Sequence, residues 1–143
     1  MKCFCLLNHE LTDAQIAELK NDWHCEEIIY PDEELSYAWG HIPATKDLDL
    51  NTLHLVGKWW NNNKSSKGDV IIVQGEAGTS YVVIEWAKKN HMTTLHAVSE
   101  RKSKDEKMED GSIKKVSYFE HVCFREYSYD NFIKSILSDV LDE

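Results

Sequence analysis

Residues 68–87 read GDVIIVQGEAGTSYVVIEWA, and this stretch predicts a strand, a tight turn and a helix. The apolar run 70–73 is short and β-branched, which is typical of a central strand buried on both faces of a parallel sheet. The small residues of 74–80 lead into a helix, whose first backbone N–H groups and dipole can hold a phosphate or another anion. The alternative is that Gly75 and Gly78 only permit a tight connection between the strand and the helix.

The turn lacks the motifs of the common nucleotide-binding folds. It contains no G-x-G-x-x-G, and no Lys follows Gly78 as a P-loop requires. An ordinary dinucleotide-binding fold and a P-loop are therefore disfavoured. If the turn binds a ligand, it does so in another way.

The remaining residues alternate between strand and helix patterns. Thr12-Asp13-Ala14-Gln15 is a capping box at the start of a helix, and Asp49 and Ser128 are suited to cap two others. The predicted strands cover approximately 2–7, 25–30 and 93–98, and the predicted helices cover 13–22, 32–39, 50–61 and 129–141. The chain is therefore predicted to be one domain, 1–143, with a mostly parallel sheet in a three-layer α/β fold.

An antiparallel hairpin is predicted at 103–127, because the segment carries Asp110-Gly111. Residues 103–112 are polar, and alternation after them places two sets of side chains on opposite faces. The first set is Val116, Tyr118, Val122 and Phe124, and the second is Phe119, His121, Cys123 and Arg125.

Composition excludes several classes of protein. With 143 residues, 42% apolar, and five Trp, the chain is long and apolar enough to form a core. No apolar run approaches the ~20 residues of a membrane span, and the start resembles a strand more than a signal peptide. The four Cys form no C-x-x-C pair, so reduced thiols in a cytoplasmic protein are expected, with neither a cofactor nor a metal site.

Charge favours a small anionic ligand. The net charge of −9 argues against binding to a long nucleic acid. Residues 88–115 nevertheless carry eight Lys or Arg against five acids. These lysines are either a local anion-binding region or simply a solvated rim.

Polar segments follow each strand that is predicted to be parallel. They are Asn8-His9, the turn 74–80, and 99–102, and Arg125 lies on the hairpin nearby. The carboxyl ends of parallel strands share one edge of a sheet, where ligands of such folds bind. A small-ligand site is therefore predicted at this edge.

The chain resembles the small accessory proteins of type III CRISPR systems, which are Rossmann-like and related to CARF domains. The resemblance is greatest to the ring nucleases among them, and it rests on LLNHELT at 6–12, GDVIIVQGEAG at 68–78 and DGSIKKVSYFEHVCFREY at 110–127. It implies a homodimer that binds a cyclic oligoadenylate, with cyclic tetra-adenylate favoured. It further implies cleavage without a metal, by attack of a ribose 2′-hydroxyl that leaves a 2′,3′-cyclic phosphate.

The resemblance also implies roles for individual residues. Arg101 and Lys102 would stabilise the charged phosphorane, and His9 would move a proton. His121 is more often a hydrogen-bonded, half-buried side chain than a catalyst, and the Trp residues are expected in the core. The ligand-binding residues would be Asn8, Gln74, Gly75, Glu76, Ala77, Gly78, Thr79, Ser80, Ser99 and Arg125.

Two other functions remain open at this point. A binding module would hold the same nucleotide in the same site without cutting it, as a sponge or a sensor. An interaction protein would instead use its last amphipathic helix to dock a partner, and would not respond to the nucleotide.

Overall fold

The computed structural model describes residues 1–141, which form five strands and five helices around a single sheet. Among these residues, no helix is both long enough and apolar enough to cross a membrane. The strands are β1 (Lys2–Leu6), β2 (Glu27–Ile29), β3 (Val70–Val73), β4 (Thr93–Lys107) and β5 (Ile113–Glu126), and the helices are α1 (Asp13–Asn21), α2 (Glu33–Gly40), α3 (Leu50–Asn62), α4 (Ala77–Lys89) and α5 (Asp130–Leu141).

The sheet has the order β2-β1-β3-β4-β5. The first four strands are parallel, and β5 pairs with β4 in the antiparallel sense. All four residues of β3 are buried, because β3 is the central strand and helices cover both of its faces. The predicted α/β class, the mostly parallel sheet and the antiparallel pair after it are confirmed.

Alternate residues of the strands point into two separate apolar clusters. One cluster joins Phe4 and Ile71 to buried side chains of α2, α3 and α4, including Trp59. The other joins Cys3 and Ile72 to α1. The period-two alternation of each strand therefore builds both cores at once. In the second cluster, a hydrogen bond with Cys25 and burial raise the pKa of the Cys3 thiol.

Two of the three predicted helix caps differ from expectation. The capping box is confirmed, with Gln15 N donating to Thr12 Oγ1 at 3.2 Å. Asp49 occupies the N-cap position of α3, but it accepts from the Thr52 hydroxyl rather than from an amide. Ser128 does not cap α5, because that helix begins at Asp130.

The polar segment 103–112 of the predicted hairpin is half strand and half turn. β4 continues to Lys107 and β5 begins at Ile113, and Met108 N donates to Ser112 O to close the turn between them. We call residues 99–121 the arm, since they extend beyond the carboxyl end of β3. Nearly every arm residue is exposed.

A bulge in β5 overturns part of the predicted alternation. The register with β4 shifts between Val98 and Ser99, so Val122 is an extra residue and the faces exchange beyond it. The His121 ring therefore lies against Phe124, with centroids 4.8 Å apart, on the side of α1. Arg125 pairs with His96 on the opposite face, and the prediction that it shares a face with His121 is wrong.

Candidate functional site

The predicted glycine turn opens into a groove that runs along α4. The groove has a volume of about 560 Å³, within the range of small-molecule sites. Four of the predicted ligand-binding residues lie in its wall. We call it the α4 groove, and its lining residues are Gln74, Gly75, Ala77, Ser80, Tyr81, Ile84, Glu85, Lys88, Tyr127 and Tyr129.

Three tyrosines give the α4 groove an aromatic wall. The Tyr127 hydroxyl donates to Val73 O at 2.9 Å, which fixes its ring over the sheet. The Tyr129 hydroxyl lies 2.8 Å from His96 Nε2, and the Tyr81 side chain is 65% exposed. Burial raises the pKa of Tyr127, and nearby Tyr129 adds to the effect. These rings offer flat faces on which a planar ligand can stack.

The hydroxyl of Ser80 is a polar group without a protein partner. Ser80 is only 7% exposed, and its Oγ has no hydrogen bond. An unpaired buried hydroxyl costs free energy, and a ligand in the groove would recover it once the Ser80 side chain turned its hydroxyl toward the groove. Ser80 therefore differs from its neighbour Thr79, whose hydroxyl is already used within the turn.

Glu76 occupies the anion position at the start of α4. Its carboxylate accepts from Gly78 N at 3.1 Å and from both Thr79 N and Thr79 Oγ1, at 2.8 and 2.7 Å. These donors are the ones predicted to hold a phosphate. A phosphate can reach them only by displacing this carboxylate, so the prediction for Glu76, Gly78 and Thr79 requires the turn to change.

The bonds to Glu76 make folding stability depend on pH. The Thr79 hydroxyl, followed by the Thr79 and Gly78 amides, lowers the pKa of Glu76 below its usual value. Because the pKa of Glu76 is lower in the folded than in the unfolded protein, its carboxylate stabilises the folded state at pH values above its unfolded-state pKa. This stabilisation is lost as the pH falls through its folded-state pKa. We expect Glu76→Gln to lower the Tm by a few degrees at pH 7. We also expect the Tm of this variant to fall less steeply than that of the wild type as the pH drops below about 4.5. Thermal unfolding between pH 3 and 7 measures this, with the exposed Glu26→Gln as control; equal acid slopes would contradict the capping role.

The end of α2 covers the space between two predicted ligand loops. Trp39 Nε1 donates to Gln74 O at 2.9 Å, and a Cβ on Gly75 would stand 2.7 Å from the Trp39 ring. Gly40 lies next to Asn8, since a Cβ there would be 3.5 Å from Asn8 Oδ1. Gly75 is thus required by the close approach of Trp39. This glycine therefore has a packing role, and it also lines the α4 groove.

Asn8 lies in a second cleft beside β1, and His9 lines a smaller hollow that shares Asn8 with this cleft. Asn8 lines the cleft together with Tyr37 and His41, whose rings stack 4.0 Å apart. His9 is exposed, and its Nδ1 lies 3.0 Å from Glu10 O. The loop after β1 lies at the predicted edge of the sheet. Within one chain, however, the end of α2 stands between this loop and the glycine turn, and it contacts both.

The predicted catalytic pair is far from the glycine turn of its own chain. Gln74 Oε1 accepts from Ala97 N at 2.9 Å, which fixes Ala97 at the level of the turn. Arg101 is four residues further along the strand, about 13 Å at ~3.3 Å per residue. Lys102 Nζ lies 2.8 Å from a Glu120 oxygen, and this contact raises the pKa of Lys102. Ser99 pairs with His121 at the base of the arm.

Arg125 lies close to the α4 groove, on β5 of the predicted hairpin. It lines a neighbouring hollow that shares Tyr129 with the groove. Burial lowers the pKa of the paired His96, and the positive charge of Arg125 lowers it further. His96 therefore remains uncharged near pH 7.

Sequence reasoning missed the aromatic part of this site. Tyr81 follows the turn at helical spacing, and its exposed position on α4 could have been inferred from that spacing. Tyr127 and Tyr129 follow β5, and no local pattern shows that they lie across from α4. Their placement depends on the antiparallel pairing of β5, which is set by distant residues.

Comparison with known proteins identifies the family. The model of the family described as uncharacterized protein MJ1673 matches residues 1–125. The chain belongs to the MJ1673 family. It is 29% identical to uncharacterized protein MJ1673 of Methanocaldococcus jannaschii over 127 residues, which cover 89% of this chain and 97% of that protein. No solved structure matches the chain. The MJ1673 family match includes the glycine turn and the arm, and it ends at Arg125.

Proposed function

We propose that this protein is a ring nuclease of the type III CRISPR defence, with a Rossmann-like, CARF-like fold. It binds a cyclic oligoadenylate, most readily cyclic tetra-adenylate, and opens the ring to end the antiviral signal. It acts as a homodimer in the cytoplasm. The resemblance of the three sequence segments quoted above supports this activity, and the shape of the α4 groove supports the ligand class.

The observation that carries the proposal is the position of the glycine turn at the mouth of an aromatic groove. An adenine ring stacks on tyrosine faces such as those of Tyr81 and Tyr129, with ~1–3 kcal/mol for each stacked base. The hydroxyl of Ser80 would turn to bond to the ribose or phosphate, and Lys88, whose Nζ lies 3.9 Å from the Glu85 carboxylate in the same wall, would contact the phosphate by exchanging this partner. Base, sugar and phosphate thus each meet a matching group.

Cleavage requires positioned charge, a proton acceptor and a proton for the leaving group. The ribose 2′-hydroxyl loses its proton and attacks the adjacent phosphorus, the bond to the 5′-oxygen breaks, the departing 5′-oxygen takes up a proton from water, and a 2′,3′-cyclic phosphate remains. Arg101 and Lys102 would stabilise the negative charge that develops on the phosphoryl oxygens, and His9 would take the 2′-hydroxyl proton. Because the arm extends away from its own turn, the two cations would act on a nucleotide shared between two copies.

A binding module remains the second candidate. Two observations favour it: Glu76 already uses the turn donors that a phosphate would need, and Lys102 is paired with Glu120. A protein built this way can hold the bases in the α4 groove and leave the ring intact. It would act as a sponge or as a sensor.

The deciding experiment incubates the full chain, in EDTA, with a hundredfold excess of radiolabelled cyclic tetra-adenylate. Conversion of most of the ring to linear products supports a metal-independent enzyme. An intact ring that co-migrates with the protein supports the binding module instead. An intact ring with neither complex nor shift in Tm would exclude both candidates, and would favour an interaction protein.

Removal of the arm cations tests the catalytic assignment. We expect Arg101→Ala and Lys102→Ala each to slow cleavage by about 10- to 100-fold, because each removes charge stabilisation from the transition state. Lys107→Ala is the matched control, since Lys107 is an exposed cation at the tip of the same arm. Single-turnover rates at saturating protein measure the effect. Wild-type rates in both variants would remove these residues from the mechanism.

A further inference from the structure

The exposed apolar surface of this protein is concentrated in the arm and α5. Ten of the seventeen large apolar side chains that are exposed, among the described residues, lie between Ile113 and Val140. The richest stretch is α5, where five such residues recur at helical spacing and form a stripe without a charge. We call them the α5 stripe, and they are Phe132, Ile133, Ile136, Leu137 and Val140.

Among the described residues, most of the arm and the whole α5 stripe lie exposed on their own chain. Every member of the α5 stripe is more than half exposed. A lone helix of 12 residues is marginal in water, and so is an isolated two-stranded ribbon. Both elements need an apolar partner, and each chain has one arm and one α5 to offer.

One face of the arm is suited to cover the α5 stripe. Ile113 and Phe119 are 70% and 74% exposed, and alternation along β5 places them on the same face. Arg101 is the cross-strand neighbour of Phe119, so it lies on that face as well. We call this surface the Phe119 face.

We propose that two copies of this chain exchange these surfaces, so that the α5 stripe of each packs on the Phe119 face of the other. Such a contact is self-complementary about a two-fold axis, because the same pair of surfaces meets twice. Homodimer interfaces are more apolar than transient ones, which fits the α5 stripe. On the Phe119 face the charged residues Arg101, Asp105, Lys107 and Lys115 flank the two apolar side chains, and the aliphatic stems of Lys107 and Lys115 can cover part of the stripe.

The available apolar area agrees with a stable dimer. Full burial of one such side chain removes roughly 60–120 Å² from water, so the seven side chains of the α5 stripe and the Phe119 face, which are 53–74% exposed, offer roughly 250–550 Å² per copy. A standard interface buries ~800 Å² per partner, of which about 65% is apolar in homodimers, or roughly 500 Å². The two amounts match.

The exchange would complete the candidate site. α5 starts one residue after Tyr129, which lines the α4 groove. An arm packed on α5 therefore brings the partner's copy of the Phe119 face, with its arginine, beside this groove. The role of this dimer in cleavage rests on the proposed function, whereas its assembly requires no nucleotide.

The test is the mass of the full chain in solution, without nucleotide, by light scattering after gel filtration. We expect twice the chain mass of 16.6 kDa for the wild type. Ile136→Glu and Phe119→Glu should each give a monomer. Ser135→Glu, on the polar side of the same helix, should remain a dimer. A monomeric wild type, or a dimer that survives both substitutions, would overturn the proposal.

A cross-linking experiment covers the case in which a variant does not fold. Phe119→Cys and Ile136→Cys proteins are mixed and treated with a short bismaleimide, and the products are identified by mass spectrometry. We expect a heterodimer linked between positions 119 and 136. A product linked only between two copies of position 136 would show helix–helix pairing instead, and would overturn the exchange. Because no nucleotide is present, failure here is distinguishable from failure of the cleavage assay.

Discussion

Trp39→Ala should be among the most destabilising single changes in this protein, with a loss of about 3–5 kcal/mol in the free energy of unfolding. Trp39 is 2% exposed, and it packs with Phe4 and Ile71 in the cluster that includes α2, α3 and α4. Its Nε1 also donates to Gln74 O, so its removal leaves both a cavity and an unpaired carbonyl beside the candidate site. Urea unfolding, followed by circular dichroism, measures the loss.

A double-substitution cycle tests the contact between Trp39 and Gly75. Gly75→Ala alone should cost about 1–3 kcal/mol, since its Cβ would stand 2.7 Å from the indole. In the Trp39→Ala background the same change should cost almost nothing, because the obstructing ring is gone. Gly78→Ala is the control in the same turn, since its Cβ would meet the end of the flexible Leu48 side chain at 3.2 Å and the Glu76 carboxylate oxygens at ordinary contact distances of 3.5 and 3.7 Å. Additive costs would contradict this account of Gly75.

Glu18→Ala should destabilise the fold by about 3 kcal/mol or more, because three donors lose their acceptor together. The Glu18 carboxylate accepts from His121 Nε2 and from Phe124 N, both at 2.7 Å, and from Trp23 Nε1 at 3.2 Å. It thereby ties α1 to the bulge at the base of the arm. Urea unfolding measures the effect.

Two variants distinguish the network from a general loss of charge. Glu18→Gln keeps one carbonyl oxygen in place, so it should cost less than Glu18→Ala. Glu26→Ala removes an exposed carboxylate and should change the free energy of unfolding by less than about 0.5 kcal/mol. If Glu18→Ala is as mild as Glu26→Ala, the three bonds do not hold the arm to α1.

The central part of the fold could be predicted because its signals are local. The β-branched run 70–73 indicates a buried strand by itself, and Thr12 with Gln15 indicates a helix start. The expectation that His121 is a hydrogen-bonded, half-buried residue is confirmed by its bonds to Glu18 and Gln15. Each of these conclusions needs only neighbouring residues.

Other features depend on residues that are distant in sequence. The bulge at Val122 arises from the register with β4, and it moves His121 and Arg125 to opposite faces. The length of the arm could not be inferred because its charged residues are typical of a loop. The capping role of Glu76 required the actual turn geometry, since a carboxylate at that position is equally suited to face a ligand.

The place of β1 in the sheet has a consequence for biosynthesis. β1 lies between β2 and β3, and Cys3 pairs with Val70, which is 67 residues later in the chain. At synthesis rates of ~5–20 residues per second, roughly 3–13 s pass before the second neighbour of β1 exists. During that interval the apolar residues Cys3 to Leu7 have no sheet to enter on that side. Among the five strands described, β1 therefore waits longest between its own synthesis and that of its second neighbour, although it is the first interior strand to gain both.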